Sequence, residues 1–203
     1  MTKLYYSPGA CSLSPHIALR EAGLPFELVL ANLKTHQLAD GSDYYAINPK
    51  GSVPVLELND GQRLSEGPAI VQYIADQAPA SKLAPPAGSM ERYRLMEWLN
   101  FITTELHKGF SPLFNPAMPE EAKALSRSKL GERFVWVNQQ LEGKSYLMGE
   151  TFTVADGYLF TVANWGKHVG VDITGLTNLG AFMGRVAARP AVQEALKAEG
   201  LMK

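Results

Sequence analysis

The chain has one cysteine, four histidines and no surplus of charge of either sign, and each scarcity excludes a class of function. Cys11 alone forms no intramolecular disulfide and no dithiol pair. His16, His36, His107 and His168 lack ligand spacing with one another or with Cys11, so no metal is expected. With 19 Lys and Arg against 20 Asp and Glu, and a net charge of -1, the chain offers no electrostatic footprint for nucleic acid or an anionic membrane surface. No apolar run approaches the roughly 20 residues that cross a bilayer. Met1 leads into a strand pattern without the basic region and long apolar stretch of a secretory leader. The expectation is a cytoplasmic protein with small-molecule or protein partners. Repeats and low-complexity tracts are also missing, and 46% hydrophobic content is enough for one large domain or two small ones.

What is present is organised around Cys11. Leu4 to Tyr6 suit a buried strand, Pro8 and Gly9 break it, and Leu13, Ile17, Ala18 and Ala22 recur at helical spacing until Gly23 and Pro25. A sulfur at the start of a helix faces unpaired N–H groups and the positive end of the dipole, which favour thiolate over thiol. Cys11 is therefore expected to titrate below the free value of about 8.5, as a nucleophile or a dock for another sulfur. The other reading is a small apolar core residue.

Phe26, Leu28 and Leu30 suit a second strand, completing a β-α-β unit. Asn32 to Tyr45 is polar and reads as a helical or looped connection. Val55 to Leu58 and Arg63 to Ser65 are strand-like, and Asn59-Asp60-Gly61 predicts an antiparallel hairpin between them. Glu66 and Pro68 open a helix with Ala69, Ile70, Tyr73 and Ile74 on its buried stripe. The order β-α-β, connection, β-β-α, with Cys11-Ser12-Leu13-Ser14 at the first helix, resembles a thioredoxin-like fold with one thiol. In that fold the proline of Gly51-Ser52-Val53-Pro54 follows a cis peptide bond.

Pro79 to Ser89 reads as a linker. Beyond it the period is helical. Met96, Leu99, Ile102, Leu106 and Phe110 form an apolar stripe, and Asn100, Thr104 and His107 a polar one. Another helix starts after Pro119, and Thr153 with Asp156 forms a capping box at the head of a buried helix. The expected architecture is a thioredoxin-like α/β domain with a mixed four-stranded sheet over residues 1–80, followed by an all-α helical-bundle domain over residues 88–203.

Taken together, YYSPGACSLSPH, NPKGSVPVL, LSEGPAIVQYI, EWLNFITTELHKGF and FTVADGYLF resemble a glutathione S-transferase of the bacterial beta class, and the likeness spans the whole chain. The resemblance implies that glutathione lies on the first domain, with its sulfur at Cys11 and its cysteinyl backbone on Val53. Glu66 and Gly67 would meet its γ-glutamyl end, and Asn100, Thr104, Glu105 and His107 would lie near the ligand, His107 beside the sulfur. His36 stands where relatives often carry a lysine for the glycine carboxylate, and is the weaker cation at neutral pH. Tyr6 occupies the position of a thiolate-holding tyrosine in other classes and reads as supporting. Phe110, Phe114 and Trp165 are candidates for the wall of an electrophile pocket between the domains. The implied activity is conjugation of the glutathione thiolate to small hydrophobic electrophiles by a homodimer. Two alternatives stand beside it: a glutathione-dependent thiol-disulfide reductase or peroxidase acting through a Cys11 mixed disulfide, and a non-catalytic carrier of apolar ligands.

Overall fold

The computed structural model describes residues 1–202. The chain divides into two compact units, Met1–Ala84 with the segment that begins at Arg189, and Pro85–Ala188.

In the first unit, β1 (Thr2–Tyr6), β2 (Phe26–Asn32), β3 (Gln37–Leu38), β4 (Val55–Glu57) and β5 (Arg63–Ser65) form one mixed sheet in the order β3-β2-β1-β4-β5. β1 and β2 run parallel with Leu4 opposite Leu28, a pairing that needs a crossover, which α1 (Leu13–Glu21) supplies. β4 pairs antiparallel with both β1 and β5. The hairpin from β4 to β5 turns at Gly61, whose φ of 85° suits glycine, and Asp60 Oδ1 accepts from the Gln62 N–H at 3.0 Å. α2 (Gly67–Gln77) buries Ile70, Val71 and Ile74 and packs beside α1. Tyr5, Ala31, Tyr44, Val53 and Val55 form a separate cluster, as the two-residue period of β1 requires.

The sheet has five strands where four were expected. The fifth, β3, lies inside the segment read as a helical or looped connection and pairs antiparallel with β2, Ala31 opposite Leu38. Asn32 drives the reversal: its Oδ1 accepts from the N–H groups of Lys34 and Thr35 at 2.9 and 3.2 Å. Such an Asx turn has no hydrophobic period to betray it.

The second unit is helical: α3 (Met90–Phe101), a π-helical turn (Ile102–His107), α4 (Lys108–Phe114), α5 (Glu120–Gln140), α6 (Val154–Ala163), α7 (Gly166–Val169) and α8 (Thr177–Ala187). Its core joins Leu95, Leu99, Ile102, Leu106 and Phe110 to Phe134, Val137, Leu159, Phe182 and Val186. Met96, expected on the buried stripe, lies on the surface, and Leu95 takes its place. The uninterrupted helix expected across Ile102–His107 is corrected as well. Thr103 and Thr104 direct their hydroxyls at the carbonyls of Leu99 and Asn100, at 2.7 and 3.0 Å, where the backbone widens into the π turn.

The expected helical domain ran to residue 203, but its last segment returns to the first unit. α9 (Pro190–Ala198) packs on α1 and buries Val192 and Ala195. Arg189 grips Glu21 through Nε at 2.6 Å and Nη2 at 2.7 Å. Deeper in, Arg20 Nε donates to His16 Nε2 at 2.8 Å, so the His16 proton sits on Nδ1 and goes to Glu199 Oε1 at 2.8 Å. Glu199 Oε2 accepts from the Gly9 N–H at 2.9 Å, tying the chain's end to the loop that carries Cys11.

Candidate active site

Cys11 follows the Gly9 turn and precedes Ser12, the N-cap of α1. Its Sγ donates to the carbonyl of Val53 at 3.2 Å, which places thiol and Val53 backbone in one site. Burial pushes the Cys11 thiol up to about 11. The N–H groups of Cys11 and Ser12 pull the other way and lose, and the charge of Glu66 adds to the rise. The direction is opposite to the one expected from the helix start alone. A helix start lowers a thiol when the sulfur is also solvated or meets a cation, and here desolvation is the larger effect.

The Val53-Pro54 bond is cis, as the resemblance implied. The loop before it is held by two donors on one oxygen: Tyr44 Oη and Asn48 Nδ2 both donate to the Ser52 carbonyl, at 2.9 and 2.6 Å. Burial pushes the Tyr44 phenol up to about 12, which keeps it a donor at any physiological pH.

Glu66 caps α2 with φ 70°, a strained conformation for a residue with a side chain, of the kind that collects at ligand clamps. Its carboxylate pairs with Lys50, whose Nζ also donates to Ser65 Oγ at 3.2 Å. Both side chains are exposed, and such pairs contribute only about 0–1 kcal/mol, so another ammonium can take the place of Lys50. Gly67 opens α2 and presents helix-start N–H groups to an anion. Lys50 was missed from sequence, although it lies inside NPKGSVPVL.

His36 is half-buried rather than free on the surface. Its ring stacks on Tyr45 at 4.4 Å, and its Nδ1 is buried without a hydrogen-bond partner. Gly51 makes room for the stack: its φ is 64°, and a Cβ there would come within 2.7 Å of Tyr45 and 2.9 Å of His36. Tyr6 leans on His16 at 6.4 Å between ring centroids, and burial, with a smaller contribution from the charge of Glu199, raises its phenol. It belongs with the buried His16–Glu199 pair, whereas Tyr5 belongs with Tyr44 and Val53.

In the second unit, Asn100, Thr104 and Glu105 are exposed along α3 and the π turn, and Glu105 pairs with Arg133 Nε of α5 at 2.8 Å. His107 ends the π turn with Nδ1 2.7 Å from the Tyr158 hydroxyl. Trp165 meets the His107 ring edge-on at 4.9 Å, and Phe114 packs against Trp165 at 5.9 Å with half its surface open. Phe110, expected in a pocket wall, is fully buried and belongs to the core. Tyr158 was missed because nothing in FTVADGYLF distinguishes it from a core aromatic.

A sheet domain with a lone thiol beside a cis-proline loop, joined to a helical domain, defines the glutathione transferase architecture, and comparison with known proteins agrees. The models of the glutathione S-transferase N-terminal and C-terminal domains match residues 9–77 and 101–190, so the chain belongs to the glutathione S-transferase family. It is 52% identical over 199 residues to glutathione S-transferase GstA of Escherichia coli O157:H7, covering 98% of this chain and 99% of that one. Among solved structures, the ternary complex of BphK, a bacterial GST, superposes with a TM-score of 0.96 at 59% identity, over 98% of this chain and 100% of that one. The bacterial beta-class glutathione S-transferase of Sphingomonas chungbukensis gives 0.95 at 48% identity, over 98% and 100%. The chain is an enzyme, a glutathione transferase. No helix among the described residues is long and apolar enough to cross a membrane.

Proposed function

We propose that the protein joins the thiolate of glutathione to small apolar electrophiles, with the ligand's sulfur as nucleophile. The observation that carries this reading is the state of Cys11. A thiol pushed up to about 11 and donating to the Val53 carbonyl is protonated at neutral pH. A ligand sulfur would take that proton in place of the Val53 carbonyl, and little thiolate is present to attack a disulfide.

Glutathione would lie on the first unit, its ammonium on Glu66 in place of Lys50 and its α-carboxylate on the N–H groups that Gly67 opens. A sphingomonad glutathione S-transferase, 49% identical with a TM-score of 0.95, is solved in complex with glutathione, which supports glutathione as the co-substrate. His36, anchored by its stack on Tyr45, would meet the glycine end. From the second unit, His107 would donate an imidazole N–H to the ligand sulfur, with Asn100, Thr104 and Glu105 nearby. Phe114 and Trp165 would offer an apolar surface to the electrophile. A reducing cytoplasm, where glutathione stays a thiol, suits this chemistry.

The test sets two assays side by side in wild type and Cys11→Ala. Conjugation of glutathione to an activated aryl halide should persist in the variant within about tenfold of wild type, the effect of one lost donor. Loss of conjugation to the uncatalysed rate would reject the proposal in favour of chemistry at Cys11 itself. Saturable binding of apolar ligands without turnover of any electrophile would favour the carrier.

We also propose a homodimer. Trp98, Phe101 and Trp136 pack together on α3 and α5 at 4.6 to 5.9 Å, and Met90, Tyr93, Met96 and Val135 lie exposed on the same two helices. Apolar groups in that number on two adjacent helices call for a partner. Light scattering at micromolar concentration should return twice the chain mass of 22.2 kDa. A single-chain mass would reject the dimer.

A further inference from the structure

The end of the chain closes on the turn that carries Cys11, and both lie in the first unit. α9 stops in a Schellman motif: the Gly200 N–H donates to the Lys197 carbonyl at 3.0 Å, and the Leu201 N–H reaches back to Leu196 at 2.8 Å. That reversal leaves Glu199 at the helix cap, its side chain buried with His16 of α1, and brings Leu201 beside Gly9.

Gly9 is thereby held from two sides. Its N–H donates to Glu199 Oε2 at 2.9 Å, and two Leu201 methyl carbons stand 3.4 and 3.9 Å from where a Cβ on Gly9 would lie. The same carboxylate takes the His16 Nδ1–H on Oε1 at 2.8 Å, and Arg20 Nε donates to the other ring nitrogen at 2.8 Å. Glu199 therefore cannot swing away from Gly9 without breaking with α1. Only Ala10 separates Gly9 from Cys11. The turn also has bonds of its own, from the Ala10 N–H to the Ser7 carbonyl and from the Ser7 N–H to Ser12 Oγ, both at 3.1 Å. Neither is made by Gly9, and that is where Glu199 acts. On the far side of the turn, Cys11 Sγ meets the Val53 carbonyl at 3.2 Å.

We infer that Glu199 is a positioning residue for Cys11: by holding the Gly9 N–H it fixes the turn that keeps the thiol against the Val53 carbonyl. The charge that the thiol feels is that of Glu66 and not of Glu199, so Glu199 acts through the backbone. For its effect on turnover the inference rests on the donor role proposed above for Cys11; its effect on the thiol itself does not.

The test compares variants of the whole protein by alkylation of Cys11 at pH 8, read by mass spectrometry, and by kcat for conjugation. Released from its turn, the thiol should leave its desolvated position and alkylate about tenfold faster in Glu199→Gln than in wild type. Leu201→Ala loosens the same turn at a half-exposed side chain, changes no charge and spares the buried pair, so it tests the inference even if Glu199→Gln does not fold; its alkylation should be about threefold faster. Val192→Ala weakens the docking of α9 at a buried site away from Gly9 and should stay within about twofold of wild type. In conjugation, Glu199→Gln should lose about threefold in kcat, and nothing further when combined with Cys11→Ala. Wild-type alkylation in both Glu199→Gln and Leu201→Ala overturns the inference. So does an equal rise in Val192→Ala, which would mean general loosening, or a rise in Glu199→Gln alone, which would mean the lost charge. A kcat loss that persists undiminished in the Cys11→Ala background also overturns it, because Glu199 would then act other than through Cys11. If Cys11→Ala itself keeps the wild-type kcat, the donor role fails, and the alkylation rates alone decide the positioning.

Discussion

Replacing Asp156 by alanine is expected to lower the thermal midpoint by about 10 °C, from a loss of about 3–5 kcal/mol. The carboxylate is fully buried and accepts three hydrogen bonds: the N–H of Leu147 at 2.8 Å, the N–H of Thr153 at 2.7 Å and the Thr153 hydroxyl at 3.0 Å. Alanine would strand three buried donors and uncap α6, each at a cost of about 1–2 kcal/mol. The pH dependence has a definite sign. Burial pushes the Asp156 carboxyl up to about 6, although its donors pull it down. The folded value thus lies above the unfolded value of about 3.9, and the native state binds the proton more tightly. That contribution is complete below the unfolded value and is lost as pH rises through about 6. Asp156→Asn does not titrate, so wild-type stability measured against it should fall between about pH 4 and 6 and then level off. Calorimetry on the two variants checks both statements, and a midpoint shift under about 2 °C for alanine would mean that water replaces the carboxylate.

The second large effect belongs to Glu199. Its side chain and that of His16 are wholly buried, and it takes both the His16 Nδ1–H and the Gly9 N–H. Glu199→Ala should cost about 3–5 kcal/mol, because it breaks a buried pair with His16 and removes the acceptor that the Gly9 N–H meets. It also frees the turn before Cys11, where Leu201 packs against Gly9: a Cβ on Gly9 would lie 3.4 Å from Leu201. Glu199→Gln keeps one carbonyl oxygen and should fall between alanine and wild type. Urea unfolding at neutral pH measures the series, and a loss below about 1 kcal/mol for alanine would contradict the anchoring role.

Local chemistry was legible in the sequence, and distant packing was not. The strand, turn and helix around Cys11, the Asn59-Asp60-Gly61 hairpin and the Thr153–Asp156 capping box rest on residues a few positions apart, so their patterns survive without tertiary context. The cis bond at Val53-Pro54 was legible only through the family likeness. β3 escaped because two residues pair through an Asx turn without any hydrophobic alternation. The return of α9 to α1 escaped because its anchors, His16 and Glu199, lie 183 residues apart. Tyr158 reads as core until its hydroxyl is seen on His107. Cys11 is the instructive failure. The sequence shows the helix start that lowers a thiol and conceals the burial that raises it, and burial is the larger.

That last point also decides between a cysteine that attacks and a cysteine that donates, and pH-dependent alkylation of Cys11, followed by mass spectrometry, measures it directly. The unfolded value of about 8.5 lies below the folded value of about 11, so the thiol is held protonated across the working range. The alkylation rate should climb about tenfold per pH unit from pH 7 to 9.5 without reaching a plateau. A plateau at or below about pH 8.5 would show a stabilised thiolate and contradict the assignment of Cys11 as a donor to the glutathione sulfur.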